Sequence, residues 1–116
     1  MHVVRVKLDQ ICSSEPSPMV INLILGDDGK PKHSIPFCGW WGVPKTNHWC
    51  RALIFKPDGK VDFGGDPEDE HNERYAMMPI HDKVFAIGAR FYLEDLEDQS
   101  VSQFVIKDMT DLSKIH

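Results

Sequence analysis

Apolar and polar positions along the chain alternate in short runs, with the period of two that sends successive side chains to opposite faces of a strand. In "HVVRVKLD", Val4, Val6 and Leu8 alternate with Arg5 and Lys7, which predicts a half-buried first strand. After the Ser and Pro punctuation of "CSSEPSP", the short apolar run "MVINLIL" closes on "GDDGKP", predicting a central strand and a turn. "KHSIPF" is expected to return as the second arm of that hairpin, with Pro36 confining it to an edge or a strand end because proline has no N–H to donate. "RALIFK" and "KVDF" flank "PDG", where proline fixes one turn dihedral and glycine accepts a positive one; this is the clearest hairpin signal in the chain.

"GGDPEDEHNER" alone carries a helix-start signature. Asp66 suits the cap, Pro67 the first helical position, and Glu68, Asp69 and Glu70 the positive end of the helix dipole. No apolar stripe follows until Tyr75, so a short helix and an irregular, mobile acidic loop over 66–73 are both open. "YAMMPI" is expected to be extended. "VFAIGARFYL" places Phe85, Ile87, Ala89, Phe91 and Leu93 on one face, which predicts a long strand bent at Gly88. "VSQFVIKDM" supplies a last strand, and the tail "TDLSKIH" is expected to fray in part. Roughly six to eight short strands with at most one short helix predict an all-β fold, either a small antiparallel β-barrel or a two-sheet sandwich, since both give alternating strands a shared interior.

Composition narrows this further. A chain of 116 residues fits one domain, 1–116, and 41% hydrophobic with 27% charged residues can build a core. The net charge of −5 and the lack of any basic run argue against nucleic acid as a partner, because phosphate binding draws on clustered Lys and Arg. No apolar run approaches the roughly 20 residues that span a bilayer, so no membrane association is expected. "MHVVRVKLDQ" lacks the apolar segment of a signal peptide, which predicts a cytoplasmic protein with reduced Cys12, Cys38 and Cys50.

Candidate chemistry concentrates in "PFCGWWGVPKTNHWC", which holds all three tryptophans. His33, Cys38, His48 and Cys50 are zinc-ligand types, but they lack the paired close spacing of structural zinc sites; no metal is expected, and the alternative treats Cys38 and Cys50 as small buried hydrophobes. A Cys38–Cys50 disulfide would brace the segment only in an oxidising compartment. No nucleophile elbow or Cys-x-x-Cys supports a catalytic cysteine, and no phosphate-cradling glycine motif occurs, so neither catalytic residues nor cofactors are expected. His2, His71, His81 and His116 read as surface residues. Trp40 and Trp41 are adjacent, so in an extended segment they face opposite sides: one indole can anchor the core while the other faces solvent, or both can cap the end of a barrel.

Three function classes follow. The favoured one is a small acidic binding or inhibitor-type module, comparable to immunity proteins or phage inhibitors in size and charge alone. It would meet a basic protein partner through Trp40, Trp41, His48 and Trp49 and through the acidic Asp66, Glu68, Asp69 and Glu70. The alternatives are a ligand-binding barrel whose mouth is lined by Trp40, Trp41, His48, Tyr75 and Met77, possibly an enzyme, and an accessory subunit of an oligomer.

Overall fold

The computed structural model describes residues 2–14, 16–32, 35–42, 50–66, 69–96 and 99–114, with 50, 63–66, 69–75 and 114 described by their backbone alone. The described residues form eight strands, β1 (His2–Ile11), β2 (Met19–Leu25), β3 (Phe37–Gly42), β4 (Cys50–Phe55), β5 (Lys60–Asp66), β6 (Asp69–Met77), β7 (Arg90–Asp95) and β8 (Val101–Asp111). Each pairs antiparallel with the next, and β8 returns to pair with β1, so the sheet closes into an up-and-down barrel. Between the expected barrel and sandwich, the structure is the barrel. A 3-10 turn, Leu112–Lys114, follows β8 within the tail expected to fray in part; residues 115 and 116 lie outside the described residues.

Alternation fills the interior. Val4, Val6 and Leu8 of β1 meet Leu23, Ile21 and Met19 of β2 in register, and all six point inward with Phe37, Leu53, Phe55, Val61, Phe91, Leu93, Phe104 and Ile106 into one continuous apolar core. The apolar run of β2 is explained by the same geometry: Met19, Ile21, Leu23 and Leu25 are its inner face, while Val20, Asn22 and Ile24 lie on the wall outside.

Two hairpin turns use one device. In "GDDGK" and "KPDGK" the third residue's carboxylate accepts a bond from the fifth residue's N–H, Asp28 Oδ1 from Lys30 at 3.1 Å and Asp58 Oδ1 from Lys60 at 3.0 Å. Gly29 and Gly59 take positive φ, 77° and 92°, which lets the chain re-enter the ladder through Gly26 N–H to Lys30 O and Lys56 N–H to Lys60 O.

Three sequence expectations are corrected. The expected arm "KHSIPF" is displaced along the chain: the strand that pairs with β2 is β3, Phe37–Gly42, which is held between β2 and β4 and includes Trp40 and Trp41. Of the stretch 66–73, residue 66 and residues 69–73 are strand, not helix or irregular loop, because β5 and β6 pair through Gly65↔Glu73 and Asp66↔Asp69 with register shifts; residues 67 and 68 lie outside the described residues. Backbone pairing outweighed the cap signature, which had no apolar stripe to bury. The third concerns "VFAIG": Phe85 is buried but Val84 and Ile87 are exposed, and a turn from Ala89 N–H to Ala86 O with Gly88 at φ 89° delays β7 until Arg90.

The β6–β7 connection instead folds against the barrel end with Met78, Ile80 and Phe85 buried. His81, expected at the surface, is buried with them: its Nε2–H donates to Ile35 O at 2.8 Å and its ring stacks on Phe37 at 5.1 Å. Among the described residues its Nδ1 has no hydrogen-bond partner, and the carbonyl acceptor at Nε2 requires a proton on that nitrogen.

At one point strands approach too closely for any side chain. A Cβ on Gly39 would lie 2.0 Å from Val20 O and 3.0 Å from Ile21 Cα, both backbone atoms. Gly39→Ala is therefore expected to cost at least about 3 kcal/mol, the upper end of overpacking penalties, measured as a drop in the urea midpoint. An unchanged midpoint would contradict this β2–β3 packing.

Candidate functional site

β3 carries Trp40 and Trp41 to opposite sides of the wall. Trp41 points inward, packs against the core, meets Phe104 edge-on at 5.4 Å and 79°, and donates from Nε1 to Ser17 O at 3.3 Å. Ser17 is held in turn by its own N–H to Gln10 Oε1 at 3.0 Å, so the β1–β2 connection is tied down over this indole. The two rings do not line a common mouth. Trp40 is half-buried on the outer face, where register sets it between Val20 and Ala52. The adjoining outer row runs Arg5, Asn22, Cys38, Ile54 and Asp62, with Arg5 Nε donating to Asn22 Oδ1 at 2.9 Å. Cys38 is exposed and Ile54 is 48% exposed, so Trp40 belongs to an apolar strip crossing β2, β3 and β4.

The other proposed binding residues divide. Asp66 closes β5, and Asp69 and Glu70 open β6, so the backbone places these acidic positions at the same barrel end as the Gly42 end of β3. His48, Trp49 and Glu68 lie outside the described residues.

Register also decides the cysteine readings. Cys38 faces Ile54 and Cys50 faces Gly42, so the two stand four positions apart along the β3–β4 pair, about 13 Å at the usual rise per residue. That is beyond the reach of a disulfide or a shared tetrahedral ion. Nor is Cys38 a small buried hydrophobe, since outer-face alternation exposes it. Among the described residues no group of three His, Cys, Asp or Glu is arranged to hold a metal ion.

Sequence reasoning missed a cleft at the barrel end where β1 begins and β8 finishes. It measures about 370 Å³, and Val4, Leu25 and Met109 give it an apolar floor below His2, Asp27 and Asp111. In sequence His2 stands alone near the chain end; its Nδ1 lies 3.0 Å from Asp111 Oδ2, a partner brought in by barrel closure and invisible at a separation of more than a hundred positions. A carboxylate that orients an imidazole can serve acid–base chemistry, but Asp111 also receives Ser113 N–H at 3.0 Å and the Ser113 hydroxyl, bonds that fasten the chain after β8. The pair accordingly fits the end of the strand as a fastening.

Native-state thiol titration checks this assignment: Cys12 and Cys38 should react with Ellman's reagent without denaturant, and oxidation should not join Cys38 to Cys50. Protection of Cys38 in the folded protein would move β3 out of the stated register.

Compared with known proteins, the chain matches no family model, no curated protein and no solved structure.

Proposed function

We propose that this chain is a small acidic binding or inhibitor-type module that acts through protein–protein contact, with Trp40 as its aromatic anchor. One observation carries the reading: at the adjacent pair of tryptophans, one indole is spent on the core and the other stands on the outer wall, in an apolar strip with Val20, Cys38, Ala52 and Ile54. A rigid aromatic ring on a strand gives contact area at little entropic cost, which is why such rings dominate binding hot spots. The acidic positions 66, 69 and 70 at the same barrel end favour a basic partner, whose approach they would accelerate by steering.

The filled interior supports contact over enclosure. A small ligand inside the barrel would compete with Phe55, Phe104, Leu8 and Ile21 for the same space. Charged residues outside and apolar ones inside also suit a barrel that works in water, the reverse of the membrane-spanning arrangement. Among the described residues no acid–base or nucleophilic constellation asks for an enzymatic reading, and a cytoplasmic setting agrees with exposed free Cys12 and Cys38.

Paired substitutions test it. Trp40→Ala should leave the unfolding midpoint nearly unchanged while abolishing retention of the physiological partner on immobilised protein. Trp41→Ala should cost about 2–4 kcal/mol of stability, somewhat below a fully buried ring. Retention should also fall at least tenfold between 50 and 300 mM salt, by screening. Partner retention that survives Trp40→Ala, or is indifferent to salt, contradicts the proposal.

A further inference from the structure

The barrel wall has an open seam. Antiparallel residues alternate the neighbour to which they turn both main-chain groups. Asp95 N–H donates to Ser100 O and Ile106 N–H donates to Ala89 O, each at 2.9 Å, so the odd-numbered residues of β7 face β8. Arg90, Tyr92 and Glu94 therefore face the β6 side. There the register holds at Ala76↔Asp95 and Met77↔Glu94, then stops.

The cause is Pro79. Continued by two positions, the register would bring it opposite Tyr92, where it has no N–H to give. The β5–β6 ladder runs one pair further, with Met78 N–H donating to Gly59 O at 2.9 Å, and the chain then turns away, Lys83 N–H donating to Ile80 O at 3.2 Å with Ile80 and His81 buried. Among the described residues the inward-seam N–H and C=O of Arg90 and Tyr92 have no main-chain partner. A groove of about 460 Å³ lies along them, with Met77, Pro79 and Lys83 on one bank, Arg90, Tyr92, Glu94 and Val101 on the other, and Phe91 beneath.

We infer that this seam binds an extended peptide segment of a partner protein by strand addition, taking the track that β6 abandons. The geometry specifies its side chains. A residue opposite Tyr92 shares its outer face and meets an exposed aromatic ring beside Val101, which is 59% exposed, so it is apolar. The residue two positions on lies opposite Arg90, within the groove that Lys83 also lines, so it is acidic. The residue between them faces Phe91 and is small. Lys83 and Arg90 outnumber the one carboxylate of the groove lining, Glu94, which stands at the paired end opposite Met77, and in a chain with net charge −5 this gives the acidic preference opposite Arg90 its basis. The seam is on β7, four strands around the barrel from Trp40 on β3, so it does not rest on the Trp40 reading.

The test uses the full chain, labelled with nitrogen-15, and a capped hexapeptide carrying valine, alanine and glutamate in sequence. Titration should move the Arg90 and Tyr92 amide resonances with saturation in the millimolar range or below. Methylating the valine main-chain nitrogen should weaken binding at least tenfold, because it removes the bond opposite Tyr92. Arg90→Glu, at an exposed position, should prefer the lysine version of the peptide over the glutamate version, reversing the wild-type order. The inference is overturned if these amides do not respond, if the N-methylated peptide binds equally well, or if Arg90→Glu keeps the wild-type order. Amide shifts that follow protein concentration without peptide would assign the seam to a second copy of the chain and overturn it as well.

Discussion

Closure of the sheet by β1 and β8 is the interaction on which the rest of this molecule depends. The two strands come from opposite ends of the chain and pair from Val4↔Asp111 to Ile11↔Gln103, with a register shift between Lys7 and Leu8. Without that ladder β1 and β8 would be exposed edges, and an open eight-stranded sheet would leave its apolar face in water. With it, the described inward side chains of all eight strands share one core. The shift matters too, because Val6 faces Met109 and Leu8 faces Ile106, so the extra residue lets both strands keep an apolar phase past the irregularity.

A closed and filled barrel divides labour between its faces. Inward side chains are committed to packing, so recognition falls to the outer wall and to places where pairing fails. Trp40 and Trp41 show the division within two residues. Gly39 beside them shows its cost: β2 and β3 come so close there that only a hydrogen fits. The aromatic strip is thus presented where β2 and β3 are pressed close together, which suits an anchor that must not rearrange on binding. Pro79 produces the opposite situation on β7, where a missing donor leaves strand edge and groove together.

Legibility in the sequence followed the range of the interactions. Period-two alternation in β1, the two Asp-Gly turns and the opposed faces of Trp40 and Trp41 are local, and each was readable. Closure was not, since no local pattern states that Val4 pairs with Asp111; barrel and sandwich stayed open for that reason. The same range hid the His2–Asp111 pair and the burial of His81, whose partners Ile35 and Phe37 lie far behind it in the chain. The acidic stretch misled in the other direction: the local cap chemistry of Asp66 and Pro67 suggested a helix start, while pairing with β5 decided the outcome. Of the candidate site, the residue types could be read, and so could the rule that adjacent rings on a strand face opposite sides. Which of the two adjacent rings faced outward required the register with β2.

The opposed tryptophans offer the most direct measurement. In variants that retain either Trp40 or Trp41 as the sole tryptophan, the others being replaced by phenylalanine, iodide quenching reports each ring's access to water. The account predicts that Trp40 is quenched several-fold more efficiently than Trp41 and that Trp41 emits at shorter wavelength. Equal quenching of the two, or the reverse order, would contradict the division of the wall into a packed interior and a recognising exterior.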